Sequence, residues 1–381
     1  MKDKIFKILK IINCFYKYLF YKCYCKIKRI NNNDIWLISE RGVDARDNGY
    51  HFYKYIKANH QDINVKYVIS KKSADINKIN KEDVIYYGSK EHYILFITAG
   101  VLISTHIMGY SPDTSLFWRL DKKGLIKLSG KKVFLQHGVI YNYLKGLQSK
   151  DTNLDLFITS AQKEYNFIKK EFDYSDKVLK CTGLPRYDKL INNQKNQILL
   201  MPTFRKWLTY EDSFENTEYY EKWNGLLNNQ ELIEYIEKND INLYFYPHYE
   251  MQKYIDKFVV KSKNIIIASF EKYDVQKLLI ESKLLITDYS SIFFDFAYMN
   301  KPMIYYQFDL NEFQKNHYQK GYFDYQKNGF GPVCYREADV IAAIKDNNYK
   351  KYETRIKNFF KYNDFKNSER VYNEIKGIEG R

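Results

Sequence analysis

Apolar residues recur along this chain in two rhythms, and the change of rhythm near residue 34 divides it. In residues 1–33, Ile5, Leu9, Ile12, Tyr16, Leu19 and Cys23 return at helical spacing, while Lys7, Lys10, Lys17 and Lys22 lie off that stripe. A basic amphipathic helix is expected there. From residue 34 short apolar runs take over, at 35–38, 65–70, 84–87, 101–104, 133–136, 156–159 and 178–181, with a helix over 50–58. A second series starts at 198–201 and continues at 243–246, 265–268, 284–287 and 303–306. Helices are expected over 274–281, from residue 292, and over 338–345 and 351–362. Short apolar runs alternating with helical segments predict parallel sheets covered on both faces. The fold class expected is therefore α/β, with two doubly wound, Rossmann-like domains facing a cleft. The expected extents are 1–33 for the N-terminal segment, 34–190 and 191–345 for the two domains, and 346–381 for a helical tail.

The stretch 284–297 gathers candidate chemistry. An apolar strand runs into the polar turn Asp288-Tyr289-Ser290-Ser291, a helix opens near Ile292, and a new apolar run follows Pro302. In such β-α-β units ligands sit beyond the carboxyl ends of the strands, where a helix start offers unpaired amides and positive dipole. Ser290 and Ser291 add hydroxyls. Two readings fit the turn by itself: a cradle for phosphate, or Asp288 or Ser290 capping the helix. Other strand ends also carry polar groups: His137-Gly138, Pro202-Thr203-Phe204-Arg205 and Tyr246-Pro247-His248. A neutral His in such a place can take a proton from a hydroxyl, with Gly138 allowing close approach, or it can be a hydrogen-bonded structural residue. Arg205 can hold phosphate through its fork or form a surface salt bridge. Asp295 lies among apolar neighbours, so its carboxylate is expected to be buried and partnered.

Composition narrows the partners. The formal net charge of +15 favours polyanions, anionic membrane or phosphate-rich substrates. The five cysteines lack the spacing of a disulfide framework or zinc site, which fits a reducing compartment. No Gly-x-x-x-x-Gly-Lys-Ser/Thr loop, Gly-x-Gly-x-x-Gly opening or Asp-x-Asp pair occurs, so no metal and no cofactor are expected. The longest charge-free stretch of the N-terminal segment, 11–16, is far short of the roughly 20 residues of a spanning helix. Such a helix fits a membrane interface or the protein's own body, and its charge and position favour an anionic membrane surface. Ile378-Glu379-Gly380-Arg381 equals a protease-tag sequence and is set apart from the fold.

The string Thr287-Asp288-Tyr289-Ser290-Ser291, followed by an apolar helix with the single carboxylate Asp295, resembles the signature of the CDP-glycerol glycerophosphotransferases, the teichoic-acid and capsule polymerase family. His137-Gly138, Gly183-Leu184-Pro185-Arg186-Tyr187-Asp188, Pro202-Thr203-Phe204-Arg205, Tyr246-Pro247-His248 and Gly331-Pro332-Val333 follow that family's order, as does Asp47-Asn48-Gly49-Tyr50 near the start. The resemblance spans roughly residues 35–345. Two departures stand out: Tyr246 replaces an Arg of the family pattern, and the flanks of His137-Gly138 are Gln136 and Val139-Ile140.

What the resemblance implies is a GT-B-like fold, His137 as the base that deprotonates the acceptor, and His248 assisting at the donor pyrophosphate. Arg205, Thr287, Asp288, Ser290 and Ser291 would bind the donor, with Asp295 at its ribose. Asn48 and Gly138 would lie on the acceptor side. The turn at 183–188 is expected to be fixed by an Arg–Asp pair. The implied reaction moves glycerol phosphate, or a related polyol phosphate, from a CDP-polyol to a hydroxyl of a lipid-linked or polymeric acceptor, at the cytoplasmic membrane face. A GT-B glycosyltransferase using a nucleotide sugar shares the same phosphate logic. A basic protein binding nucleic acid fits the charge but no nucleic-acid motif is present, so nucleic acid is not an expected partner.

Overall fold

The computed structural model describes residues 2–208, 213–316 and 319–379, with side chains from residue 9 onward. It groups into two compact units. The first comprises Met1–Val139, Lys145–Asp188 and Asp364–Arg381, and the second Ile140–Leu144 and Lys189–Asn363.

The first unit is built on a seven-stranded parallel sheet. Its strands are β1 (Asn32–Ser39), β2 (Asn64–Ile69), β3 (Val84–Tyr86), β4 (Ala99–Ser104), β5 (Lys131–Phe134), β6 (Leu156–Thr159) and β7 (Leu179–Cys181), in the order β3-β2-β1-β4-β5-β6-β7. The second unit carries β8 (Gln197–Met201), β9 (Asn242–Phe245), β10 (Ile265–Ile267), β11 (Leu284–Thr287), β12 (Met303–Tyr306) and β13 (Val333–Cys334), in the order β10-β9-β8-β11-β12-β13. Neighbouring strands pair in parallel in both sheets. Runs such as Leu284–Thr287 and Met303–Tyr306 are buried throughout, because helices cover both faces of each sheet. Strand order reverses between β1 and β4 in one sheet and between β8 and β11 in the other. These are the crevices where doubly wound folds bind ligands.

Several boundaries differ from the expectation. β13, only two residues long, leaves too little apolar pattern to be read. The helix expected over 351–362 is Lys350–Lys357, and the chain then turns so that Phe359 stacks on Phe294, with centroids 5.0 Å apart. Residues 140–144 group with the second unit, where the Tyr141 ring meets Phe293, Phe294 and Phe323. The tail expected over 346–381 is divided between the units. Helix Asn367–Glu379 belongs to the first, burying Val371, Ile375 and Ile378 at i, i+4 and i+7. Trp36 Nε1 donates to Glu379 Oε1 at 2.6 Å, so Ile378 and Glu379, set apart at first, belong to the fold; Gly380 and Arg381 lie outside the described residues.

The N-terminal helix, Lys2–Lys28, forms, but the expected division into one apolar and one charged face is corrected. Leu9, Ile12, Tyr16, Leu19 and Cys23 point outward, while the body-facing side is a second stripe of Cys14, Tyr18, Tyr21 and Cys25. Tyr16 is 69% exposed and Tyr18 1%. Tyr18 packs edge-on against Phe117, and Tyr93 donates its hydroxyl to Cys14 Sγ. The helix is apolar on two sides, and the firmer contacts go to the side rich in aromatic partners. The side chains of Ile5 and Lys7 lie outside the described residues. Among the described residues no helix is long and apolar enough to cross a membrane.

Candidate active site

In the first unit, the ends of β1, β4 and β5 bring together Glu40, Asp47, His106 and His137. The chain leaves β5 through Gln136, a non-glycine residue at φ +46°. That left-handed step costs on the order of 1–3 kcal/mol, and Gln136 is held in it by its Nε2, which donates to Ile158 O at 2.8 Å. The turn throws the His137 side chain outward, 65% exposed. Its Nδ1 lies 2.5 Å from Asp47 Oδ2. Asp47 Oδ1 receives Arg186 Nη1 at 2.7 Å and Asn48 N–H at 2.8 Å, and the same Arg186 Nη1 donates to His137 O at 2.5 Å.

Electrostatics fix the proton positions. Burial by itself would raise the Asp47 carboxyl, but His137 and Arg186 outweigh it and hold the group well below the usual carboxylate range. An ionised carboxylate only accepts, so His137 Nδ1 carries the hydrogen and, in the neutral ring, Nε2 keeps its lone pair. An imidazole held this way has Nε2 free to accept a proton. Behind it, Glu40 accepts the N–H groups of Arg46, Asp47 and Tyr50 at 3.0, 2.9 and 2.8 Å, anchoring the start of helix Asn48–Asn59. Burial, then Asp47 and Asp44, push Glu40 up to about 8. The His106 ring stands 5.3 Å from His137 and is pushed down to about 4, by burial and then by His137.

Asn48, expected at the acceptor, is fully buried. Its Nδ2 donates to Gln136 O at 2.9 Å and its Oδ1 accepts from Arg186 N at 3.0 Å, so it braces the loop that carries His137. Gly138 is buried beside it. The turn at 183–188 has a wider reach than the expected internal pair. Arg186 serves Asp47, while Asp188 receives Asn367 N and Ser368 N, each at 2.8 Å, and caps helix Asn367–Glu379. Gly183, at φ +86°, lets Asn367 approach where a Cβ would lie 1.8 Å from its Oδ1.

In the second unit, β9, β8 and β11 end side by side. Asp288 Oδ1 accepts Thr203 N–H at 2.8 Å and Tyr289 N–H at 2.6 Å. Its Oδ2 lies 2.9 Å from Arg205 Nη2, an ion pair off the hydrogen-bonding direction. Arg205 also grips Asp309 with Nε at 2.6 Å and Nη2 at 3.0 Å, donates Nη1 to Thr203 O, and sits among the rings of Tyr219, Tyr289 and Phe313. Desolvation works against its charge, yet Asp288 and Asp309 outweigh that and raise its pKa further. Burial raises the Asp288 carboxyl in spite of Arg205.

These contacts show where four of the expected donor-side residues lie. Arg205 is fully buried and paired with two carboxylates, Asp288 and Asp309, so it braces the turn from beneath. Asp288 and Thr287 are buried as well, Thr287 donating to Met201 O at 2.7 Å. They shape the turn from within. Asp295 is 2% exposed on helix Ile292–Tyr298, buried as expected from its apolar neighbours. Ser290 and Ser291 remain half-buried at the start of that helix, and Ser291 makes no side-chain cap bond. His248, half-buried after β9, stacks on Phe204 with centroids 4.7 Å apart and accepts Glu250 N–H at Nδ1, which puts the hydrogen of the neutral ring on Nε2. Among the described residues no group of His, Cys, Asp or Glu could hold a metal.

Sequence reasoning singled out His137 but gave its partners Asp47 and Arg186 other roles, and passed over Asp309 and Gln307. Asp47 carried a signal, since a cap residue has a second oxygen to spend. Asp309 carried none.

Comparison with known proteins gives four findings. The family model for CDP-Glycerol:Poly(glycerophosphate) glycerophosphotransferase matches residues 19–377. The chain is 33% identical over 366 residues to the Minor teichoic acid biosynthesis protein GgaB of Bacillus subtilis, covering 91% of this chain but 40% of that relative. It is 25% identical to the Teichoic acid glycerol-phosphate primase of the same organism, over 76% of each chain. In fold it matches the Wall Teichoic Acid Polymerase TagF with a TM-score of 0.74 at 17% identity, covering 100% of this chain and 98% of the other, which makes its fold class GT-B-like.

Proposed function

Because the chain belongs to the CDP-glycerol:poly(glycerophosphate) glycerophosphotransferase family, we propose that it transfers glycerol phosphate, or a related polyol phosphate, from a CDP-polyol to a hydroxyl of a teichoic-acid-type polymer. His137 Nε2 takes the proton of the acceptor hydroxyl. That oxygen attacks the β-phosphorus of the donor, the bond from this phosphorus to the bridging oxygen breaks, and CMP leaves. The first unit supplies the base. In the second, the hydroxyls of Ser290 and Ser291, the amides of their turn and Nε2–H of His248 hold the pyrophosphate and the charge that grows on CMP. Phosphoryl transfer depends mainly on such positioning and charge stabilisation.

The observation that carries this reading is the 2.5 Å pairing of His137 Nδ1 with an Asp47 carboxylate that Arg186 keeps ionised. The test is CMP release from CDP-glycerol, CDP-ribitol and common nucleotide sugars side by side. His137→Ala should abolish release from the CDP-polyols while leaving the fold intact. Undiminished turnover removes His137 as the base, and turnover of a nucleotide sugar alone replaces the donor class.

The acceptor in this reading is polymeric and lipid-linked, and the enzyme works at the cytoplasmic face of a membrane. The outward face of helix Lys2–Lys28 supports this, since Leu9, Ile12, Tyr16, Leu19 and Phe20 are exposed and lysines such as Lys10, Lys17 and Lys22 accompany them. Apolar side chains flanked by lysines suit an anionic lipid interface.

A further inference from the structure

Beside the turn Asp288-Tyr289-Ser290-Ser291, the second unit holds a cavity of ≈ 140 Å³ at the carboxyl ends of β11 and β12. Tyr289, Phe313 and Tyr325 give it aromatic walls, and Asn142 and Gln307 give it amides. Gln307 is 1% exposed and donates Nε2 to Asp288 O at 3.1 Å; its Oε1 has no hydrogen-bond partner among the described residues. The side-chain amide of Asn142, half-buried in the same lining, also makes no hydrogen bond among the described residues. Tyr325 donates its hydroxyl to Tyr141, which in turn donates to Tyr289 O, so the aromatic wall is tied to the turn itself.

The lining selects a ligand chemistry. Among the described residues its charged members are Lys320 and Asp324, which lie 3.9 Å apart and offset each other. An anion gains nothing there. The unused amide atoms of Gln307 and Asn142 offer an acceptor, and a second donor and acceptor pair, to the hydroxyls of a ligand. Aromatic faces suit the C–H surface of the same ligand. The volume equals roughly four to five waters' share of liquid, which is room for a small neutral polyhydroxy group.

We propose that this cavity binds a polyol through Gln307 Oε1 and the Asn142 amide. The proposal rests on the transfer reaction above and adds to it the part of the protein that recognises the polyol. Two sources share this chemistry: the polyol of the CDP donor and the terminal polyol unit of the acceptor.

The experiment compares the wild-type chain with Asn142→Leu and Asn142→Ala, which remove an amide that supports no other part of the fold. Saturation-transfer NMR with glycerol 3-phosphate and ribitol 5-phosphate reads binding directly, with inorganic phosphate and CDP as competitors. Polyol proton signals are expected in the wild type and lost in Asn142→Leu. In turnover, a KM for the CDP-polyol raised about tenfold with CDP inhibition unchanged, the effect of roughly one lost hydrogen bond, assigns the cavity to the donor. A raised KM for the acceptor with the donor KM unchanged assigns it to the acceptor. Polyol signals absent from the wild type, or equal in wild type and both variants, overturn the proposal. Polyol signals that depend on Asn142 in a protein releasing no CMP from any CDP-polyol uphold the cavity and defeat the transfer reaction instead.

Discussion

His137 and Asp47 stand ninety residues apart in sequence and meet at 2.5 Å through Nδ1 and Oδ2. Neither is remarkable by its neighbours. Asp47 caps helix Asn48–Asn59 with the oxygen that Asn48 N–H and Arg186 also share, and its other oxygen orients the imidazole. One carboxylate thereby fixes both the helix start and the tautomer of the neutral His137 ring.

Asp47→Asn should leave the chain folded and lower kcat for CMP release by about 10²–10⁴, the range over which a positioned base contributes. The amide can present Nδ2–H to His137 and favour the wrong tautomer. KM for the donor should hold within about twofold. A variant with wild-type kcat would remove Asp47 as the positioning residue. Steady-state kinetics over a range of pH read both effects.

Arg205→Met should act on stability. It would leave Asp288 and Asp309 buried without their cation, a change worth about 3–5 kcal/mol in comparable buried pairs. Adding Asp288→Asn and Asp309→Asn should restore much of the loss. Chemical denaturation of the single and triple variants decides it. Equal stability of Arg205→Met and wild type would contradict the organising role.

Acid should weaken the first unit through His92. This fully buried ring accepts Gly88 N–H at Nδ1 and pairs Nε2 with Tyr110 O, an arrangement for the neutral form. Burial pushes its pKa down from 6.5 to about 4. A depressed pKa means the unfolded chain binds more protons between those values. The stabilisation is thus complete above about pH 6.5 and lost as pH falls through about 4, on the order of 3 kcal/mol in all. Denaturant titrations at pH 7 and pH 4.5 should show the fall. His92→Gln, which cannot titrate, should show a shallower one despite lower stability at pH 7.

The two sides of helix Lys2–Lys28 should respond differently. Leu9→Ser with Ile12→Ser, on the outward side, should leave unfolding unchanged and reduce sedimentation with anionic vesicles at least tenfold. Tyr18→Ala, on the inward side, should destabilise by about 3–5 kcal/mol, as for other large aromatic truncations. Vesicle binding that ignores Leu9 and Ile12 would remove the membrane reading of this face.

The sequence by itself determined the sheets and the places where chemistry could gather. Runs such as 284–287 and 303–306 are apolar throughout because parallel strands are covered on both faces, so local pattern sufficed to find them. It also identified His137, Ser290 and Ser291 as groups following strand ends, since a strand–turn–helix order is local. Which side of the first helix meets the body was not legible, because apolar residues occupy two of its sides and only partners such as Phe117 and Tyr93 choose between them. The roles of Arg205 and Asp288 were not legible either. A cation or carboxylate after a strand looks alike in sequence whether it faces a ligand or lies beneath the turn; Asp309, a hundred residues from Arg205, settles that by claiming its guanidinium. The same holds for His137, whose strand-end position came from the chain and whose orientation came from Asp47 and Arg186. Burial and long-range pairing set those properties, and they exist only once the sheets bring distant loops together.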